Sequence, residues 1–260
     1  MAIKLSDADA GKFAAASRAI AFVEDGMRIG LGTGSTAAWM VRALAARVER
    51  EGLILTCVPT STRTARQARE LGLTVVTLDE AGWLDLTIDG ADEFDPDLNL
   101  IKGGGGAHLQ EKIVAAASDR MIVITDPSKA VAQLGAFPLP VEVIPFGLDA
   151  TQRMIDEVLT GAAVGGRDCS IRMNGEERFF SDEGNHIIDL HLARIDDLCE
   201  LSQALMRVPG VVETGLFLGM CNAVVIGHAD GRTETRFADE TPDEAGQVDL
   251  AEADDLPVEA

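Results

Sequence analysis

Apolar and polar positions follow two rhythms along the chain. Behind Ser6, which pairs with Asp9 in the manner of a capping box, Phe13, Ala16, Ile20 and Val23 recur at helical spacing until Gly26 ends the run. Met27–Gly32 reads as a strand. Thr33-Gly34-Ser35-Thr36 follows as a turn whose hydroxyls are placed to cap the next helix, with Met40, Val41, Leu44 and Val48 as its buried stripe. Apolar strands recur at Leu53–Pro59, Leu73–Leu78, Leu84–Asp89 and Met121–Thr125, with helices over Ser61–Leu71 and Ala107–Ser118. Short apolar strands alternating with helices predict an α/β fold built on a doubly wound, mostly parallel sheet.

The punctuation changes at Phe137–Pro145, where Pro138, Pro140 and Pro145 flank Val141 and Val143, the pattern of an edge strand or a domain crossing. Beyond it, helices over Asp149–Thr160 and Ile195–Met206 and short strands at Cys169–Arg172, Arg178–Phe180 and Asn185–Leu190 predict a second, smaller α+β domain of ferredoxin-like type. The strand Ala223–Ile226 is expected to return to the first sheet. The expected domains are therefore a discontinuous Rossmann-like body of residues 1–137 plus 207–237, a small α+β domain over 138–206, and a tail over 238–260.

Composition adds to this outline. The 260 residues are 47% hydrophobic and 25% charged, as in an ordinary globular protein, and a net charge of −21 argues against nucleic acid or an anionic membrane as partner. Nine acids and no base fall between Ala238 and Ala260, which predicts a disordered acidic tail. Cys57, Cys169, Cys199 and Cys221 form no CxxC pair and read as buried thiols of a reducing cytoplasm. Lys4, Asp7, Asp9 and Lys12 leave no apolar run of signal-peptide length at the start, so the expected location is cytoplasmic.

In an open parallel sheet the ligand crevice lies at the carboxyl ends of the strands, so the segments after each strand carry the candidate chemistry. Gly30-Leu31-Gly32-Thr33-Gly34-Ser35-Thr36 offers amides and hydroxyls at a helix N-terminus, an anion site. It lacks the third glycine of a dinucleotide fingerprint and the lysine of a Walker A loop, which favours a small phosphate ester. Asp89-Gly90-Ala91-Asp92-Glu93 gathers carboxylates suited to sugar hydroxyls or proton transfer. Without His or Cys at ligand spacing, a metal is not expected there. Lys102-Gly103-Gly104-Gly105-Gly106 costs much chain entropy and implies close approach of the backbone to something bound. In the helix that follows, Leu109, Ile113, Ala116 and Ala117 predict the buried stripe, and Glu111 falls on the other side. Asp126-Pro127-Ser128-Lys129 places a second lysine just past a strand.

Taken together these segments resemble ribose-5-phosphate isomerase of the A type. The resemblance runs through TGST at Thr33–Thr36, DGADE at Asp89–Glu93, IKGGGG at Ile101–Gly106 with Glu111 and Lys112 behind it, and Ser128-Lys129. It continues through Leu139–Val143, Ser181–Asn185 and Gly210–Phe217, and so spans about residues 5 to 235, with Gln110 standing where the family commonly has Arg. It implies interconversion of D-ribose 5-phosphate and D-ribulose 5-phosphate through an enediolate, a step of the non-oxidative pentose phosphate pathway, with no cofactor and no metal. Glu111 is then the base, Lys102 and the glycine-loop amides stabilise the enediolate oxygen, and Asp89 and Asp92 handle hydroxyl protons. Thr33, Gly34, Ser35, Thr36, Gly90, Ala91, Gly103, Gly104, Gly105 and Lys129 join them in binding substrate. The resemblance also implies a homo-oligomer, dimer or tetramer. A sugar-phosphate sensor without catalysis is the alternative; it would need a partner domain, and no helix-turn-helix segment or basic patch is visible.

Overall fold

A computed structural model describes residues 5–239 and 241–257. Lys4 at the start, and Glu240 and Glu259 of the acidic run, lie outside the described residues. The chain divides into two units, one of residues 1–90, 110–129 and 220–260 and one of residues 91–109 and 130–219. Each is discontinuous, so the expected boundaries at 137, 206 and 237 are replaced by these.

The first unit is built on a seven-stranded sheet in the order Glu244–Gln247, Arg232–Phe237, Ala223–Gly227, Met121–Thr125, Leu86–Gly90, Arg28–Leu31, Thr56–Pro59. Five strands, from Ala223–Gly227 to Thr56–Pro59, are parallel, and the two at the other edge are antiparallel. Met121–Thr125 and Ala223–Gly227 are buried along their whole length, as central parallel strands covered on both faces must be. Helix Asp7–Ala19 starts at Ser6, whose side chain accepts the Asp9 N–H at 3.1 Å, as the spacing predicts. Helix Ser35–Glu51 packs against it, and Phe13, Met40 and Leu44 are fully buried. The expected strand Leu73–Leu78 is reduced to one bridge, Cys57 with Val75, because Thr77 and Glu80 form a capping box that starts a short helix at Leu78.

The tail is a correction. Glu244–Gln247 adds to the sheet edge in register Arg232↔Gln247 to Thr235↔Glu244, Arg18 pairs with Glu244, and a 3₁₀ turn over Leu250–Asp255, with Ala253 buried, packs on helix Asp7–Ala19. Arg42 Nε donates to the Pro257 carbonyl at 2.8 Å. Edge pairing is made by the backbone, so an acidic composition does not forbid it. Truncation after Ala238 is expected to lower stability by about 2 kcal/mol, the worth of the lost apolar burial, and Tm by roughly 4–8 °C. Thermal melting of the truncated chain checks this.

The second unit contains a four-stranded antiparallel sheet in the order Val211–Thr214, Leu139–Val143, His186–His191, Asp168–Ile171, with helices Leu148–Gly161 and Leu198–Met206. The chain order βαββαβ with these neighbours is the ferredoxin-like arrangement. Leu139–Val143 lies inside this sheet, not at an edge. Pro140 is tolerated because its carbonyl accepts the Gly215 N–H at 2.7 Å just past Thr214, where that ladder ends, so its missing N–H faces no ladder partner. A separate three-stranded sheet, Leu216–Phe217, Leu100–Ile101 and Glu93–Phe94, carries two of the candidate segments.

Candidate active site

In the first unit the carboxyl ends of Arg28–Leu31 and Leu86–Gly90 meet at Asp89. This side chain is fully buried, and its Oδ1 accepts the N–H of Thr33 at 3.0 Å and of Gly90 at 2.7 Å. Gly32 makes room for it, since a Cβ there would stand 2.2 Å from Asp89 Oδ1. Gly32→Ala is therefore expected to displace Asp89 and cost about 1–3 kcal/mol as an overpacked site does; denaturant melts alongside an activity assay check it.

Thr33 Oγ1 does not cap the next helix as the sequence predicts. It lies 2.8 Å from Thr60 Oγ1 and Ser61 Oγ and 3.2 Å from Thr64 Oγ1. The helix start at Ser35 is instead flanked by Gly34, at φ +116°, with no side-chain cap among the described residues. Gly34 and Ser35 are exposed, and Thr36 is half-buried. The N-terminal amides of a 17-residue helix thus face outward, where its dipole favours an anion. Lys129 is half-buried in the turn Pro127–Lys129 that follows Met121–Thr125.

Glu111 also belongs to this unit, and its placement corrects the sequence reading. The buried residues of helix His108–Ala116 are His108, Glu111, Val114 and Ala115, while Ile113 is 49% exposed. The expected stripe through Ile113 is thus turned outward, and Glu111, at 4% exposure, is a carboxyl largely out of water.

In the second unit the register Glu93↔Ile101 sets Asp92 and Lys102 next to each other at the end of one antiparallel pairing. Lys102 is 2% exposed, with Nζ 5.4 Å from the centre of the Phe217 ring and its backbone N–H on the Gly215 carbonyl at 2.9 Å. Asp92 Oδ2 accepts the Gly104 N–H at 2.7 Å, so a carboxylate from DGADE orders the glycine loop. Gly103 is at φ +104° and packs on His108, whose Nδ1 would lie 2.8 Å from a Cβ there; Gly104 and Gly105 are exposed. Glu93 is structural: its carboxylate takes the N–H of Gly135 at 2.8 Å and of Phe137 at 2.5 Å. Glu142, buried in the same unit, has its carboxyl pushed above the usual range by burial, against the lowering pull of hydrogen bonds from Ser181 and Asn185.

The sequence reading missed the hydroxyl cluster around Thr33, although Thr60-Ser61-Thr62-Arg63-Thr64 at a strand end was a visible signal. It also missed Arg172, which donates to the carbonyls of Gly103 and Gly104 and leaves no local pattern in the sequence.

The profile of the family described as ribose 5-phosphate isomerase A (phosphoriboisomerase A) matches residues 56–231. The chain is also 60% identical over 253 residues to the ribose-5-phosphate isomerase A of Ruegeria pomeroyi, covering 97% of each chain. This chain belongs to the ribose 5-phosphate isomerase A family. The protein of that name from Dinoroseobacter shibae is 62% identical over 250 residues, again covering 96% of each. Among solved structures, ribose 5-phosphate isomerase A from Methanocaldococcus jannaschii superimposes with a TM-score of 0.81 at 41% identity, over 89% of this chain and all of that one. A D-ribose-5-phosphate isomerase in complex with phospho-erythronic acid superimposes with a TM-score of 0.82 at 34% identity, over 90% of this chain and 100% of that one. The α/β architecture is thus that of the family, and the exposed N-terminus behind Gly34, buried Glu111 and buried Lys102 are the features of this chain to be explained.

Proposed function

We propose that the chain interconverts D-ribose 5-phosphate and D-ribulose 5-phosphate, a step of the non-oxidative pentose phosphate pathway, with Glu111 as the base. The reaction moves one proton from C2 to C1 and one between the oxygens, and its electrons stay within the substrate. Glu111 takes the C2 proton to form an enediolate and returns it to C1, while Lys102 and glycine-loop amides stabilise the oxygen on which charge develops. Asp89 and Asp92 handle hydroxyl protons. The phosphate is held by the amides at Gly34–Thr36 with Lys129, a reading supported by the exposed N-terminus of the long helix.

The observation that carries this reading is the burial of Glu111, 4% exposed, in the helix that follows the motif Ile101–Gly106 in the sequence. Burial shields a carboxylate, and the carbon it would deprotonate, from bulk water, as proton abstraction from the substrate requires. The phospho-erythronic acid bound by the similar isomerase adds support, since that acid is one carbon shorter than the substrate and carries a planar carboxylate where the enediolate would have its two oxygens. The test is formation of ribulose 5-phosphate from ribose 5-phosphate with EDTA present. Turnover is expected; tight binding without turnover would replace the enzyme by a sugar-phosphate sensor. Assembly into a homo-oligomer belongs to the same reading, supported by Ile144 at 38% and Phe146 at 88% exposure on the second unit. So does a cytoplasmic location, supported by four free cysteines.

A further inference from the structure

The glycine loop is gripped by a side chain that the proposed chemistry does not use. Arg172 follows strand Asp168–Ile171, and its side chain is 14% exposed. Asp189, on the neighbouring strand His186–His191, accepts from Nε at 2.9 Å and from Nη2 as well, the two-pronged pairing that fixes a guanidinium plane. Nη1 then faces the loop and donates to the carbonyls of Gly103 at 2.7 Å and Gly104 at 3.2 Å. The Phe179 ring, 5.9 Å from the guanidinium carbon, closes the far end of the loop, where a Cβ at Gly106 would stand 2.4 Å from it.

In a trans peptide the N–H points opposite to the C=O. With the Gly103 carbonyl on Arg172, the Gly104 N–H faces the other way, and there Asp92 Oδ2 accepts it at 2.7 Å. With the Gly104 carbonyl also on Arg172, the Gly105 N–H is turned to the side of the loop that Asp92 occupies. Gly105 is exposed, and a Cβ built on it would meet nothing within 4 Å, so space in front of this backbone is open. Four consecutive glycines left to themselves would sample many conformations, and an amide donor that must be ordered during the reaction stabilises charge poorly.

We propose that the Arg172–Asp189 pair positions the catalytic loop: by locking the carbonyls of Gly103 and Gly104 it presents the Gly105 amide to the oxyanion that develops on the substrate. This inference rests on the isomerase reading and adds a positioning residue to it. The experiment measures kcat and KM for ribose 5-phosphate and the inhibition constant of phospho-erythronic acid, for wild type, Arg172→Gln, Arg172→Lys and Asp189→Asn, each checked for folding by its Tm. In Arg172→Gln, kcat is expected to fall about 10- to 100-fold with KM held within about threefold, because the amide acts on charge present only in the transition state. The inhibition constant of the acid rises with it. Lysine, which donates to the carbonyls without the two-pronged anchor, restores part of kcat, and Asp189→Asn falls between.

A folded Arg172→Gln with wild-type kcat overturns the inference, as does a change confined to KM. Should that variant not fold, unchanged kcat in both Arg172→Lys and Asp189→Asn overturns it equally. Wild-type protein that binds the acid but does not turn over ribose 5-phosphate would instead overturn the isomerase reading. The inhibitor's affinity across the same variants then still decides whether Arg172 orders the loop, and an unchanged affinity would reject it.

Discussion

Replacing Glu111 by Gln is expected to lower kcat for ribose 5-phosphate by about 10³-fold, roughly 4 kcal/mol of transition-state stabilisation, while KM stays within a few-fold. Glutamine keeps the shape and one acceptor oxygen but has no lone pair basic enough to take the C2 proton. The same substitution keeps the size and shape of a side chain that is only 4% exposed, so its packing is retained. Tm is accordingly expected to stay close to that of wild type. That pairing of a large kinetic loss with undiminished stability is what distinguishes a base from a residue that supports the fold; kinetics and thermal melts of one purified variant provide both.

Lys102→Met is expected to give the second largest effect, a fall in kcat/KM of about 10²- to 10³-fold, the range found when a preorganised partner of a developing oxyanion is removed. Methionine matches lysine in length and packs well against the Phe217 ring, 5.4 Å from Nζ in the native chain. Lys102 is 2% exposed, and a methionine of the same length keeps that interior filled, so the variant is expected to fold. A variant that loses stability and keeps its activity would assign Lys102 to the fold instead.

The fold was legible where the chain is apolar and its rhythm simple. Met121–Thr125 and Ala223–Gly227 are buried throughout and stand out as short apolar runs, and the return of the second to the first sheet follows from the pattern. The ferredoxin-like arrangement of the second unit was legible in its alternation of strands and helices, but of the two readings of the proline-flanked segment, an edge strand or a domain crossing, the edge strand does not hold. A proline can sit in an inner strand when its nitrogen faces the place where a ladder stops, and that place is a tertiary fact. The tail was misjudged because composition reports on side chains, whereas Glu244–Gln247 is held by backbone pairing to Thr233 and its neighbours.

The site divided in the same way. Motif order singles out Asp89, Lys102 and the glycine loop as candidates, since glycine runs and strand-end carboxylates are local features. The burial of Glu111 was not legible, because a helical wheel ranks faces by apolar residues. Here the buried face carries His108 and Glu111, and the exposed face carries Ile113. Arg172, just past strand Asp168–Ile171, and Asp189, on the neighbouring strand, are 17 residues apart, and only the register of Asp168–Ile171 with His186–His191 brings them together. Pairs made by register leave no spacing rule to read.

The central claim is proton transfer through Glu111, and the most direct test is turnover of ribose 5-phosphate carrying deuterium at C2, run in ordinary water. The account predicts a primary isotope effect on kcat/KM and loss of at least part of the label to solvent by wild type, with both turnover and label loss abolished in Glu111→Gln. Turnover of the labelled substrate by Glu111→Gln at the wild-type rate, with or without loss of the label, would contradict it.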